Sequence, residues 1–140
     1  MAQCASASLA AMRIGRAEYE QLVAHAREEA PNECCAVVGM DGDRAASVYP
    51  ARNRFESPMR FELHPEDLLR IYTETEQRGE QLAIFHSHPK TEAYPSQTDI
   101  NLARGWPGAL WLICSLAGEP VVRVFEIDGD QVEEVELIVE

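Results

Sequence analysis

Several things are missing from this 140-residue chain, and each absence closes a class of function. No apolar run reaches the roughly 18–20 residues that a membrane-spanning helix needs, so no such helix is expected. Basic residues are few: 12 against 24 acidic ones, a net charge of −12. That balance argues against a nucleic-acid groove and against an anionic membrane surface as partner. Cysteine is sparse, with Cys4, Cys34, Cys35 and Cys114 and no Cys-x-x-Cys pair, so a cysteine-rich zinc site is not expected. Cys34 and Cys35 are neighbours that would point to opposite faces of a strand, which opposes a disulfide framework. Buried, reduced thiols in a cytoplasmic protein fit better. Residues 1–11 lack both a basic stretch and a long apolar core, so they do not read as a signal peptide. Their small residues show no periodicity and predict a flexible tail, with the domain spanning 12–140.

What the chain does contain is an ordinary globular composition, 46% hydrophobic and 26% charged, at a length suited to one domain. A short strand is expected near Met12–Ile14. Tyr19, Leu22, Val23 and Ala26 recur at helical spacing and predict a helix from Arg16 to Ala30, with His25 off the apolar stripe and exposed. Glu33 to Gly39 reads as a buried strand, and the Asp41-Gly42-Asp43 turn pairs it with a strand at Ala45–Tyr49. Residues 50–60 are irregular and carry Arg52, Arg54 and Arg60. A brief strand is expected at Phe61–Leu63. Pro65 and two acidic residues open a second helix, with Leu68, Leu69, Ile71, Tyr72 and Thr75 forming its apolar side, and Gly79 closes it. His64, just before it, reads as a capping or surface residue. Strands follow at 81–85, 109–116, 120–127 and 132–139, the last patterned as a half-exposed edge. With a short helix near Ile100–Arg104, this order gives an α/β domain with a mixed sheet and helices on both faces.

The chemistry concentrates between residues 84 and 99. The strand ending in Ile84 and Phe85 leads into His86 and His88, which alternation places on one face. Pro89 and Pro95 bracket a loop, and Ser96-Gln97-Thr98-Asp99 opens a helix with Ser96 at its N-cap. Asp99 in the first turn suits the helix dipole and can face back toward the histidines. His86, His88 and Asp99 thus offer three N/O ligands and leave a fourth position open, the arrangement of catalytic zinc. Each residue alone has a plainer reading, a structural histidine or a simple cap; it is their combination that points to one metal site.

His86-Ser87-His88-Pro89, the seven residues from Pro89 to Pro95, and then Ser96-x-x-Asp99 resemble the motif of the JAMM (MPN+) zinc metalloproteases. Pro31-Asn32-Glu33-Cys34-Cys35-Ala36 resembles the segment that carries the family's glutamate, with Ala36 where many relatives have glycine. Thr91 to Ile100 looks closest to small bacterial members that act on ubiquitin-like sulfur-carrier proteins. The resemblance covers Met12 to the C-terminus.

It implies a cytidine-deaminase-like α-β-α sandwich, a bound Zn2+, Glu33 as the base that takes a proton from water, and Ser96 as the donor to the oxyanion. Ser87, on the opposite strand face, is expected to be structural, and Cys35 shares the face of Glu33. The implied reaction is hydrolysis of a peptide or isopeptide bond at the C-terminus of a ubiquitin-like sulfur carrier, releasing cysteine. An isopeptidase acting on other ubiquitin-like conjugates and a non-catalytic scaffold remain as alternatives. A zinc deaminase is disfavoured because its His-x-Glu and Pro-Cys-x-x-Cys pair is absent, and His-Glu-x-x-His is absent too. Oligomeric state is left open.

Overall fold

The computed structural model describes residues 9–140. In chain order the elements are β1 (Ala11–Ile14), α1 (Arg16–Glu29), β2 (Cys35–Asp41), β3 (Arg44–Ala51), α2 (Pro65–Arg78), β4 (Gln81–His88), α3 (Gln97–Ala103), β5 (Leu110–Ser115), β6 (Val121–Asp128) and β7 (Gln131–Val139).

Strands β2, β4 and β5 are buried along nearly their whole length, which is why they read as continuous apolar runs. They form the centre of a mixed sheet in the order β1-β3-β2-β4-β5-β6-β7, where only the β4–β5 and β1 pairings are parallel. Two hydrophobic clusters lie on its two faces. Leu22, Val23 and Ala26 of α1 pack with Ala36, Phe85, Leu112 and Val124 on one. Ile71 of α2 and Ala103 of α3 pack with Val37, Ile84, Trp111 and Phe125 on the other. The expected α/β arrangement with helices on both faces is what the chain adopts.

Helix and turn signals behave as their chemistry dictates. His64 caps α2, accepting from the Glu66 N–H, and Pro65 follows it. Gly79 ends α2 in the left-handed region at φ 67°, which its missing Cβ permits. Gly42 and Gly129 take the same region in the two hairpin turns.

The structure departs from expectation at five places. The sheet closes on itself, because β1 pairs in parallel with both β3 and β7. β7 is therefore not an edge; its polar positions reflect an outer surface and not an unpaired strand. Phe61–Leu63 forms no strand beyond a single bridge between Leu63 and Asn53. Leu69 is exposed and only Asp67, Ile71 and Thr75 of α2 are buried, since the helix turns its other side to the sheet. His25 is half-buried, its Nε2 bonded to the Cys35 carbonyl at 2.9 Å. Finally, the expected tail of residues 1–11 lies largely outside the described residues. Of its last three, Leu9 packs against the core and its N–H donates to Glu126, while Ala11 opens β1 opposite Glu136. The strand expected from Met12 begins one residue earlier, and Leu9, a single apolar residue among small ones, has no period that would mark its packing.

Candidate metal centre

β4 lies antiparallel to β2 and parallel to β5, with His86 opposite Cys35 on one side and Ile113 on the other. Alternation sends Ile84, His86 and His88 to the face covered by α2 and α3, and Phe85 and Ser87 to the reverse face. The chain then loops over residues 89–95 and enters α3, whose first turn brings Asp99 back to the histidines.

Ser96 caps α3 reciprocally: its hydroxyl accepts from the Asp99 N–H at 3.1 Å, and Asp99 Oδ2 accepts from the Ser96 N–H at 3.0 Å. That same Oδ2 lies 3.1 Å from His86 Nε2 and 3.0 Å from His88 Nε2, and the two Nε2 atoms are 3.1 Å apart. Three buried donor atoms from two elements therefore converge on one point.

The orientation of His88 shows what this point is suited to hold. Its Nδ1 is 2.8 Å from the Glu92 carbonyl. A carbonyl only accepts, so Nδ1 carries the hydrogen and a neutral ring presents its Nε2 lone pair inward. Two imidazole nitrogens and a carboxylate oxygen at about 3 Å, shielded from water, need a positive charge among them. The donor set fits a divalent cation such as zinc, with three protein ligands and an open fourth position.

Charges in the cluster are shifted by burial and by one another. Burial holds His86 below the usual imidazole range, so it favours the neutral form a metal ligand requires. Burial opposes ionisation of Asp99, but when protons rather than a cation fill the cluster, donation from His86 and His88 outweighs it and holds the carboxyl well below its usual range.

Glu33 stands two residues before β2, outside the strand expected to begin with it, and is 5% exposed. Burial pushes its carboxyl up to about 8; His88 pulls it down and Asp99 adds to the rise, so the group lies close enough to feel both. Its Oε1 is buried without a hydrogen-bond partner. A carboxyl held near neutrality, beside a metal-ligand cluster and with a free oxygen, can both take up and hand over a proton.

Each candidate read from the sequence falls in this region. His86, His88 and Asp99 meet directly, Glu33 neighbours them, and Ser96 stands at the exposed mouth of the cluster. Ser87 is on the reverse face, where its hydroxyl accepts from the Cys34 N–H at 2.8 Å. Cys35 shares the cluster's face, but its thiol turns to the Arg52 carbonyl at 3.4 Å.

Three participants had no local signal. Phe61 stacks on His86 with ring centroids 4.5 Å apart and 19° between planes. Trp111 meets the same ring edge-on at 5.9 Å. Asn53 is buried and donates to the Glu33 carbonyl at 3.0 Å. All three come from segments distant in sequence, so only the folded chain brings them to the site.

A family profile described as prokaryotic homologs of the JAB domain matches residues 16–128. The desampylase of Haloferax volcanii is 34% identical over 129 residues, spanning 86% of this chain and 91% of that protein. The CysO-cysteine peptidase of Mycobacterium tuberculosis is 41% identical over 85 residues, spanning 59% of this chain and 58% of that protein. Among solved structures, that of a Desulfitobacterium hafniense protein superposes with a TM-score of 0.82 at 37% identity, covering 92% of each chain.

A two-histidine, one-aspartate cluster on this fold defines a hydrolase of the JAMM metallopeptidase type. The chain belongs to the prokaryotic JAB-domain homologs, the JAMM/MPN family that the His86–Asp99 motif resembles. Among the described residues no helix is long and apolar enough to cross a membrane.

Proposed function

We propose that this protein is a zinc metallopeptidase that cleaves the bond at the C-terminus of a ubiquitin-like sulfur-carrier protein. Cleavage releases cysteine, which places the enzyme in cytoplasmic cysteine biosynthesis or sulfur transfer. The observation that carries the reading is the convergence of His86, His88 and Asp99 beside a buried Glu33 whose Oε1 has no partner.

His86 Nε2, His88 Nε2 and Asp99 Oδ2 would hold the zinc. When bound, it supplies a Lewis acid and lowers the pKa of water to about 7. Glu33 Oε1 accepts the proton of the attacking water and delivers it to the leaving amine, a contribution of about 10²–10⁴-fold. The Ser96 hydroxyl accepts from the Asp99 N–H and keeps its own hydrogen free for the oxyanion developing on the scissile carbonyl. Losing one such donor costs about 10²–10³-fold. The Glu92 carbonyl fixes the His88 ring, and the Ser96 N–H fixes the Asp99 carboxylate.

The substrate class is supported by the likeness to a CysO-cysteine peptidase and by the motif around Thr91–Ile100. A second reading, an isopeptidase on ubiquitin-like conjugates, is favoured by the likeness to a desampylase over nearly the whole chain. One experiment separates them. The zinc-loaded protein is incubated with a sulfur carrier ending in Gly-Gly-Cys and, separately, with a carrier joined to a lysine side chain, and products are followed by mass. Faster release of free cysteine supports the first reading; preferential release of the lysine-bearing protein supports the second. Cleavage of neither would favour a non-catalytic scaffold.

A further inference from the structure

Glu33 lies outside the sheet ladder, so β-pairing does not fix its position. Its backbone is held instead by the irregular segment 53–62: its N–H donates to the Ser57 carbonyl at 2.8 Å, and its carbonyl accepts from Asn53 Nδ2 at 3.0 Å. Asn53 is 8% exposed, and its amide is saturated. Nδ2 also donates to the Arg60 carbonyl at 3.0 Å, while Oδ1 accepts from the N–H of Phe55 at 3.0 Å and of Glu62 at 3.2 Å. Two donors and two lone pairs are all used, three of them on the 53–62 segment and one on Glu33.

We infer that Asn53 is a positioning residue, which couples the 53–62 segment to Glu33 and thereby sets where the Glu33 carboxyl stands relative to the metal cluster. Glu33 Oε1 has no hydrogen bond to hold it, so the placement of the carboxyl depends on its backbone and on burial. Displacement of a reacting group by about 1 Å costs on the order of 10²-fold in rate. Asn53→Asp keeps size and both acceptors but loses both donors, and it sets a carboxylate against the Glu33 and Arg60 carbonyls. Asn53→Ala removes all four bonds.

The inference rests on Glu33 being the base, and the test is arranged to separate the two claims. Asn53→Asp, Asn53→Ala, Glu33→Gln and the corresponding double variants are prepared with zinc. Turnover is measured on the carrier adduct, zinc content by elemental analysis, and amide hydrogen exchange residue by residue. In the Asn53 variants kcat should fall by about 10–100-fold with KM within about threefold and zinc unchanged. Amide exchange at Glu33, Phe55 and Glu62 should accelerate at least about tenfold while β4 and β5 stay protected. In the Glu33→Gln background the Asn53 substitutions should add little further loss, because they act through a group already removed.

Full additivity, or unchanged exchange at Glu33, overturns the Asn53 assignment and leaves Glu33 untouched. Wild-type turnover in Glu33→Gln defeats the base reading instead. If both Asn53 variants fail to fold, the residue is structural and the inference is wrong.

Discussion

The Phe61 ring lies parallel to the His86 ring at a centroid distance of 4.5 Å, closing one side of the metal cluster. The contact comes from an irregular segment, held in turn by the Asn53–Leu63 bridge. An apolar wall of this kind fixes ring orientation and controls solvent access; loss of a hydrogen-bonded partner that orients a ligand costs about 10–100-fold in metal affinity, and a stacked ring is set at the lower end of that range. Phe61→Ala should therefore weaken zinc binding by about tenfold, measured by competition with a chelator of known affinity. Phe61→Leu should lie between it and wild type. Unchanged affinity in Phe61→Ala would show that the stack is only packing.

The ligand set makes a stoichiometric claim. One zinc per chain should be found by elemental analysis, and His88→Ala should lose most of it, since the other two donors cannot close the site alone. Adding the metal back should raise the melting temperature of wild type and leave that of His88→Ala almost unmoved. Zinc retained after loss of both His86 and His88 would place the metal elsewhere.

Away from the site, Asp67 joins α2 to the end of β3. Its carboxylate accepts from the Arg52 N–H at 2.8 Å and from the Arg52 guanidinium at 3.1 Å. The bond from the Arg52 side chain is the largest influence and holds the carboxyl below its usual range, against a smaller upward push from burial. A carboxylate depressed on folding stabilises the protein above its unfolded pKa of about 3.9 and loses that contribution as pH falls through the folded value. Asp67→Asn should therefore melt below wild type at pH 6, and the gap should shrink as pH drops below about 4. A gap that stays constant across this range would mean that the charge of Asp67 contributes nothing.

How much of this was legible in the sequence differs by element. His86, His88 and Asp99 could be read because strand alternation and an N-cap fix their directions within fourteen residues. Ser87 could be placed on the reverse face by the same alternation. The closure of the sheet could not be read, because it depends on a four-residue β1 meeting β7 from the far end of the chain. Asn53 and Phe61 were invisible for a related reason: their segment has no period, and its shape comes from side-chain bonds to backbone groups. Leu69 was misplaced because α2 buries one narrow stripe, while the sequence offers apolar residues on more than one side. Local pattern carries the ligands; long-range contact carries their supports.

The central claim is that Glu33 makes this metal-binding fold an enzyme. Glu33→Gln keeps the shape of the side chain and removes its capacity to accept and return a proton. The decisive measurement is the turnover of the Glu33→Gln protein on a sulfur carrier ending in Gly-Gly-Cys, with zinc content determined on the same sample. The expected result is a full zinc complement with turnover lower than wild type by about two to four orders of magnitude. Wild-type turnover with zinc still bound would contradict the account.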